Sequence, residues 1–541
     1  MTSVKVHQAI AGMLMANRVE TLFGLMGDAN MFMIDSYVRE FGGTFVPAGH
    51  EAGATLMALG YAAMSGRVGV CSVTHGPAMV NTATALAQGV RASLPLVVIA
   101  GETPVRDLQH SQRISQREFA AAAGAGVEQV RAPSTVAEDV LRALRRAVLE
   151  RRPILLNAPI DFELQEAPGF APLRLQLPED RGTVAASDDL DNAIGMIAAA
   201  RRPVVLAGRG AISPEARTAI LRLAERIGAP LATTVKAKDL FRGEPFDLGI
   251  CGTISRDGTA QIIAESDCIV AFGASLTART LPEGAFRRGK RIIQVNLEPA
   301  EIGRNLTPDA GLVGRLDEVA RIIHHWLDEA GIPSSGYRSD ELAGRIAAPQ
   351  PQAPAAPRPG TVVIAEAMQA LDRLLPPDRL VVTDAGRFML SVWRAIGVEG
   401  PRSFLITNDF GSIGFGVAQG IGAAFARPGQ PVAVFCGDGG FMHGGLAEFN
   451  TAVRTGRDLI VVVCNDSAYG AEYMKFRDRD QAVDLSEFRW PDFADVARSL
   501  GGEGVTVAGE DDWPAVAHAV ASRKAPLLID IRCDPDLILW H

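Results

Sequence analysis

Short, wholly apolar runs alternate along the chain with longer stretches in which Ala, Leu and Val recur every three or four residues. The runs "VGVCSVT", "LPLVVIAG", "PILLNAP", "RPVVLAG", "CIVAFG", "RIIQVNL", "LVVTDAG", "PVAVFCG", "DLIVVVC" and "PLLIDIRC" are too short for helices and rich in β-branched residues, so they read as strands. Unbroken apolarity, instead of alternation, means burial on both faces, as in parallel sheets covered by helices. Two stretches interrupt the rhythm: "APGFAPLRLQLPEDRG" around 167–182, and the Pro/Ala-rich "AAPQPQAPAAPRPG" at 347–360. The expected class is therefore α/β, with three doubly wound parallel-sheet domains at 1–170, 185–345 and 361–541. The first and third share a similar strand-helix rhythm.

Length agrees, since 541 residues exceed what one core can bury. A net charge of -9 argues against a phosphate-binding nucleic-acid surface, and "LRALRRAVLERR" and "RRGKR" read as solvated helix faces. The six cysteines show no CxxC and lie mostly in apolar runs, so neither zinc nor disulfides are expected. Without a signal-peptide core or a run approaching ~18 apolar residues, a soluble cytoplasmic protein with no membrane contact is expected.

Candidate chemistry sits in "CGDGGFMHGGLAEFNTAVRTGRDLIVVVCND". Between the strands "PVAVFC" and "DLIVVVC", Leu446, Phe449 and Val453 recur at helical spacing, and Gly456 closes the helix. Asp438 and Asn465 then project from the carboxyl ends of two parallel strands, where open α/β sheets bind ligands. Gly437, Gly439 and Gly440 let backbone N–H groups approach an anion. One carboxylate and one amide oxygen suit a Mg2+ ion that completes its shell with phosphate oxygens and water. No GxxxxGK[ST] occurs, which disfavours a nucleotide triphosphatase.

That stretch resembles the cofactor motif of the thiamine diphosphate-dependent enzymes of the acetolactate synthase, pyruvate decarboxylase and benzoylformate decarboxylase superfamily. The family motif ends in Asn-Asn; here the second position is Asp466. "NDFGSIGFGVAQGIGAAFA" is similar to the segment that contacts the aminopyrimidine, with Gly411 in it and Ile413 where a bulky side chain bends the cofactor. "VVTDAGRF" resembles a second diphosphate loop through Ala385 and Gly386. "PAGHEAGATLMALGYAAMSGRVGVCSVTHGPAMVN", from Pro47 to Asn81, resembles the pyrimidine-binding half. The resemblance thus implies a pyrimidine-binding, a central and a diphosphate-binding domain. It implies Mg2+ ligands Asp438, Asn465 and Ser467, and cofactor contacts from Glu51, Asn81, Tyr469 and Gly470. Glu51 opens a helix with Leu56, Leu59 and Ala63 on one face, so its carboxyl group borders an apolar layer. A carboxyl group there, bonded to the pyrimidine nitrogen, favours the tautomer that removes the thiazolium proton. In the family that group comes from the neighbouring subunit, which implies a homodimer or a dimer of dimers with the active site at the interface.

The implied substrate is a small 2-oxo acid that loses CO2. Protonation of what remains yields an aldehyde, and attack on a second carbonyl yields a ligated product. Asp28 and Glu472 match relay acids of the decarboxylases, whereas Gln116 resembles the active-site glutamine of acetolactate synthases. Acetolactate synthase-like carboligation is the first expectation and simple decarboxylation the alternative. His75 has two readings, a proton donor over the ring or a hydrogen-bonded buried imidazole. His110 and His443 read as bland. A flavin-dependent oxidase is a third class, but FAD-bearing synthases have an Arg-Phe-Asp-Asp-Arg type loop where this chain has "ASLTARTLPEG", which argues against FAD.

Overall fold

The computed structural model describes residues 4–104, 106–177, 187–348 and 356–537. Residues 178–182, 349–355 and 538–541, which belong to the two interruptions and the carboxyl-terminal tail, lie outside the described residues.

Among the described residues, eighteen strands form three six-stranded sheets. In the first are β1 (Thr21–Gly24), β2 (Thr44–Pro47), β3 (Gly69–Val73), β4 (Leu96–Glu102), β5 (Gly126–Gln129) and β6 (Pro153–Pro159). The second holds β7 (Pro203–Ala207), β8 (Leu231–Thr233), β9 (Asp247–Ile250), β10 (Cys268–Phe272), β11 (Arg291–Asn296) and β12 (Ala310–Val313). The third holds β13 (Leu380–Thr383), β14 (Phe404–Ile406), β15 (Val432–Gly437), β16 (Leu459–Asn465), β17 (Glu503–Val507) and β18 (Leu527–Arg532). The strand pairs within the sheets run parallel, for example β3 with β4 and β15 with β16. Every residue of β3, β7, β10, β13 and β16 is buried, which is why these strands read as continuous apolar runs.

Strand order explains where ligands can bind. The first sheet runs β2-β1-β3-β4-β6-β5 and the third β14-β13-β15-β16-β18-β17, the same order shifted by twelve. In each, the winding reverses beside its first strand, between β1 and β3 and between β13 and β15. The crevice outside the carboxyl ends of strands at such a reversal is the general ligand position of open α/β sheets. The second sheet has a different order, β12-β11-β10-β7-β8-β9, and its own cores.

The chain forms two compact units, one carrying the first and third sheets and the other the second. Within the first unit, one hydrophobic core takes Leu59 and Val98 together with Val434 and Val461. Its seam is the contact between the helices Glu51–Ser65 and Gly416–Ala426. Backbones meet there directly: a Cβ on Gly60 would lie 2.1 Å from the Gln419 carbonyl oxygen, and one on Gly422 would lie 1.9 Å from that of Met57. All six cysteines are buried and none forms a disulfide. Among the described residues, no helix is long and apolar enough to cross a membrane.

Candidate functional site

At the third sheet's reversal, Asp384 follows β13 and Asp438 follows β15. Register pairs Gly437 with Cys464, so Asp438 lies beside Asn465 across two neighbouring strand ends. Where the sequence suggests a glycine turn, the chain is already helical: Asp438–Gly440 open a helix that widens to a π turn over Phe441–Gly445 and continues as Leu446–Thr455. Packing there is close, since Cβ atoms on Gly439 and Gly440 would sit 2.5 Å from the Tyr469 ring and 2.9 Å from Asp384 Oδ2.

Asp438 is buried and accepts the Gly439 N–H at 2.7 Å and the Trp490 indole N–H at 2.9 Å. Burial, and then the nearby Asp466 carboxylate, push its carboxyl group up to about 7. Such a group ionises more readily once a cation is beside it. Asn465 donates through Nδ2 to Asp530 Oδ1 at 3.0 Å, which fixes its amide so that Oδ1 is the acceptor end. Oδ1 accepts from Ser467 N and Oγ at 3.1 and 3.3 Å, with Ser467 in the left-handed region at φ 55°. Among the described residues no group of three or more His, Cys, Asp or Glu could hold a metal. The Asp438 carboxylate and the Asn465 amide oxygen, side by side at two strand ends, fit a cation that draws its other ligands from phosphate and water.

Asp384 anchors the opposite wall. Its buried carboxylate accepts the N–H groups of Ala385, Gly414 and Phe415 at 2.8, 2.8 and 3.2 Å. Burial raises this acid despite those donors. The result pins the Gly411–Phe415 loop, with half-buried Ile413 in it, against the Ala385–Gly386 turn. Gly470 opens the helix Gly470–Arg477, and half-exposed Tyr469 precedes it. Glu472 is on the outer face of that helix, with a side chain 55% exposed and paired to Lys475 at 3.5 Å.

The first sheet's carboxyl edge gathers a second group. His50 caps the helix that Glu51 opens, its Nδ1 accepting the Ala52 N–H at 3.1 Å. The Glu51 side chain is only 13% exposed, and its Oε2 accepts from Asn81 Nδ2 at 3.0 Å. Asn81 thereby holds the carboxyl group through Oε2.

Asp28 and His75 flank the β1/β3 reversal. Thr74 Oγ1 donates to Asp28 Oδ1 at 2.8 Å, and His75 Nδ1 is 4.0 Å from that same oxygen. The His75 ring is fully buried and its Nε2 has no hydrogen-bond partner among the described residues. Burial lowers this imidazole, partly opposed by Asp28 and reinforced by His110. The His110 ring stands edge-on to it, 5.2 Å away at 63°. His110, which its polar loop makes look bland, is thus His75's neighbour. Gln116 is buried with its amide occupied: Oε1 accepts from Gly76 N at 2.7 Å, and Nε2 donates to Gly101 O and Asn157 Oδ1 at 2.8 and 3.1 Å. It holds the turn beneath His75.

Sequence reasoning missed Asp384, Asp530 and Trp490, and also Glu448, whose carboxylate accepts the Gly49 and His50 N–H groups just before Glu51. Asp384 had the same signal as Asp438, an acid ending an apolar strand. Asp530 interrupts the apolar run "LLIDIRC", which is itself a signal, since an acid buried inside a strand needs a partner. Trp490 carried none.

Two matching reversals, one with a nearly buried carboxyl group at its sheet edge and the other with an acid-amide pair among close-packed glycines, mark a cofactor-dependent enzyme of the doubly wound class. Family models agree: "Thiamine pyrophosphate enzyme, N-terminal TPP binding domain" matches residues 4–123, the central domain 190–323, and the C-terminal TPP binding domain 384–531. The chain belongs to the thiamine diphosphate-dependent enzymes, of lyase or transferase type. It is 28% identical to an acetolactate synthase of Arthrospira platensis, covering 98% of this chain and 94% of that one. An acetolactate synthase of Mycobacterium bovis is also 28% identical, over 98% and 88% of the two chains. The same identity, over 96% and 92%, relates it to a sulfoacetaldehyde acetyltransferase of Alcaligenes xylosoxydans xylosoxydans.

Proposed function

We propose that this chain is a thiamine diphosphate- and Mg2+-dependent enzyme that decarboxylates a 2-oxo acid and ligates the remaining fragment to a second carbonyl compound, as an acetolactate synthase does. The observation that carries the cofactor chemistry is Glu51, nearly buried and held through one oxygen by Asn81. Bound thiamine diphosphate supplies a nucleophilic carbon and a sink for the electron pair left by CO2. Glu51 keeps a proton at the pyrimidine nitrogen. Asp438, Asn465 and Ser467 hold Mg2+, while Ala385, Gly386, Gly437, Gly439, Gly440, Tyr469 and Gly470 surround the diphosphate, and Gly411 and Ile413 the organic rings. Domains at 1–170, 185–345 and 361–541 would pair across a homodimer or dimer of dimers in the cytoplasm.

Full-length similarity to acetolactate synthases supports ligation. A specific observation favours the alternative, simple decarboxylation: Asp28, Thr74, His75 and His110 form a cluster of proton donors and acceptors suited to giving an aldehyde. Gln116, fully engaged in holding the turn, supports neither. Against FAD stands the second sheet's reversal, where the Gly208 and Gly210 N–H groups donate to Phe272 O and Gly273 O at 2.8 and 3.1 Å and are not free for phosphate.

The test is incubation with Mg2+, thiamine diphosphate and a panel of 2-oxo acids, measuring CO2, aldehyde and ligated product separately. CO2 with ligated product is expected. Aldehyde alone would overturn ligation, and flavin absorbance near ~450 nm in the purified protein would favour an oxidase.

A further inference from the structure

Arg387 follows the Ala385–Gly386 turn and is buried, its side chain only 1% exposed. Its Nη2 donates to Asp466 Oδ2 at 2.9 Å and to the Pro535 carbonyl oxygen at 3.1 Å. Nε and Nη1 are buried and have no hydrogen-bond partner among the described residues. A guanidinium cannot shed its charge, so two unpaired N–H groups on a buried one are costly unless an acceptor arrives. The guanidinium also touches the start of the helix Gly470–Arg477: a Cβ on Gly470 would lie 2.5 Å from Nε and 2.5 Å from Asp466 Oδ2. Two segments therefore meet at it, the turn after β13 and the connection from β16 into that helix, and each already contributes a candidate diphosphate contact.

We infer that Arg387 is a binding residue for the cofactor's diphosphate, positioned by Asp466. This rests on the thiamine diphosphate reading above. Asp466 is where the motif normally has a second Asn, and a neutral amide there would leave the buried guanidinium uncompensated. The carboxylate balances the charge and orients the fork through Nη2, so that Nε and Nη1 remain for phosphate oxygens. Arg rather than Lys suits this, because the planar fork offers donors in fixed directions.

The experiment is calorimetric titration of the full chain with thiamine diphosphate in Mg2+ buffer, for the unaltered protein and for Arg387→Gln/Asp466→Asn, which removes both charges and leaves two amides able to pair. The double variant is expected to melt like the unaltered protein without cofactor and to bind about ten- to a hundred-fold more weakly, the loss of charge-assisted bonds. Equal binding by the double variant would overturn the assignment and leave Arg387 a counterion to Asp466 alone. Should the double variant unfold, Arg387→Lys serves, because a point charge cannot replace two fork contacts; undiminished affinity there overturns the assignment equally. No uptake by the unaltered protein would instead refute the cofactor reading itself.

Discussion

The Glu448 carboxylate accepts the backbone N–H groups of Gly49 and His50, each at 3.1 Å, so a helix of the third sheet's domain fixes the residues that lead into Glu51. Thr451 Oγ1 donates to it as well, at 2.8 Å, and a Cβ on Gly53 would lie 1.9 Å from its Oε1. Removing this acceptor leaves two backbone donors without a partner. Glu448→Ala is expected to cost about 2–3 kcal/mol in denaturant unfolding. Glu448→Gln, which keeps one acceptor, should cost about half of that.

Glu51→Gln preserves shape and removes the titratable proton. Turnover should fall about 10²- to 10⁴-fold, while calorimetry shows thiamine diphosphate still bound. Unchanged turnover would dismiss Glu51 as the activating acid.

Asp530 is the partner that turns the Asn465 amide. Its carboxyl group is raised to about 6, chiefly by burial. Asp530→Ala should weaken Mg2+ binding about 10- to 100-fold, as loss of an outer-shell partner does, and Asp530→Asn less, since an amide oxygen can still accept. Titration of the metal in the presence of cofactor measures both.

At the helix seam, Gly60→Ala must push a methyl group into the Gln419 carbonyl. An expected loss of about 1–3 kcal/mol or more would appear as a lower melting temperature, because backbone cannot yield as a side-chain tip can.

Glu163 supplies the pH dependence. Burial, with Asp28 adding to it, raises its carboxyl group from 4.5 to about 7, and Oε1 has no partner among the described residues. The folded state therefore holds a proton that the unfolded chain has released. This contribution is complete below the unfolded value and is lost as pH rises from 4.5 through about 7. Melting temperatures across that window should decline less in Glu163→Gln than in the unaltered protein.

Much of this was legible in the order of residues. The runs "PVAVFC" and "DLIVVVC" became β15 and β16 because continuous apolarity demands burial on both faces, and Glu51 opens its helix directly after β2. Local pattern could not give strand order, which long-range packing decides, so the identical winding of the first and third sheets emerged only in three dimensions. The neighbour of His75 was illegible for the same reason: His110 is 35 positions away in a polar loop, and only folding brings the rings together. Gln116, singled out by its resemblance to the active-site glutamine of acetolactate synthases, has partners that only folding reveals, its two amide ends engaging Gly76, Gly101 and Asn157.

The indole of Trp490 donates its N–H to Asp438 and stacks on Phe488 at 4.8 Å. Tryptophan emission responds to charge beside the ring, so the protein carries an intrinsic optical gauge at the very carboxylate where a cation would lodge. Loading of the site can therefore be followed in real time by stopped flow without any label, with Trp490→Phe as the silent reference.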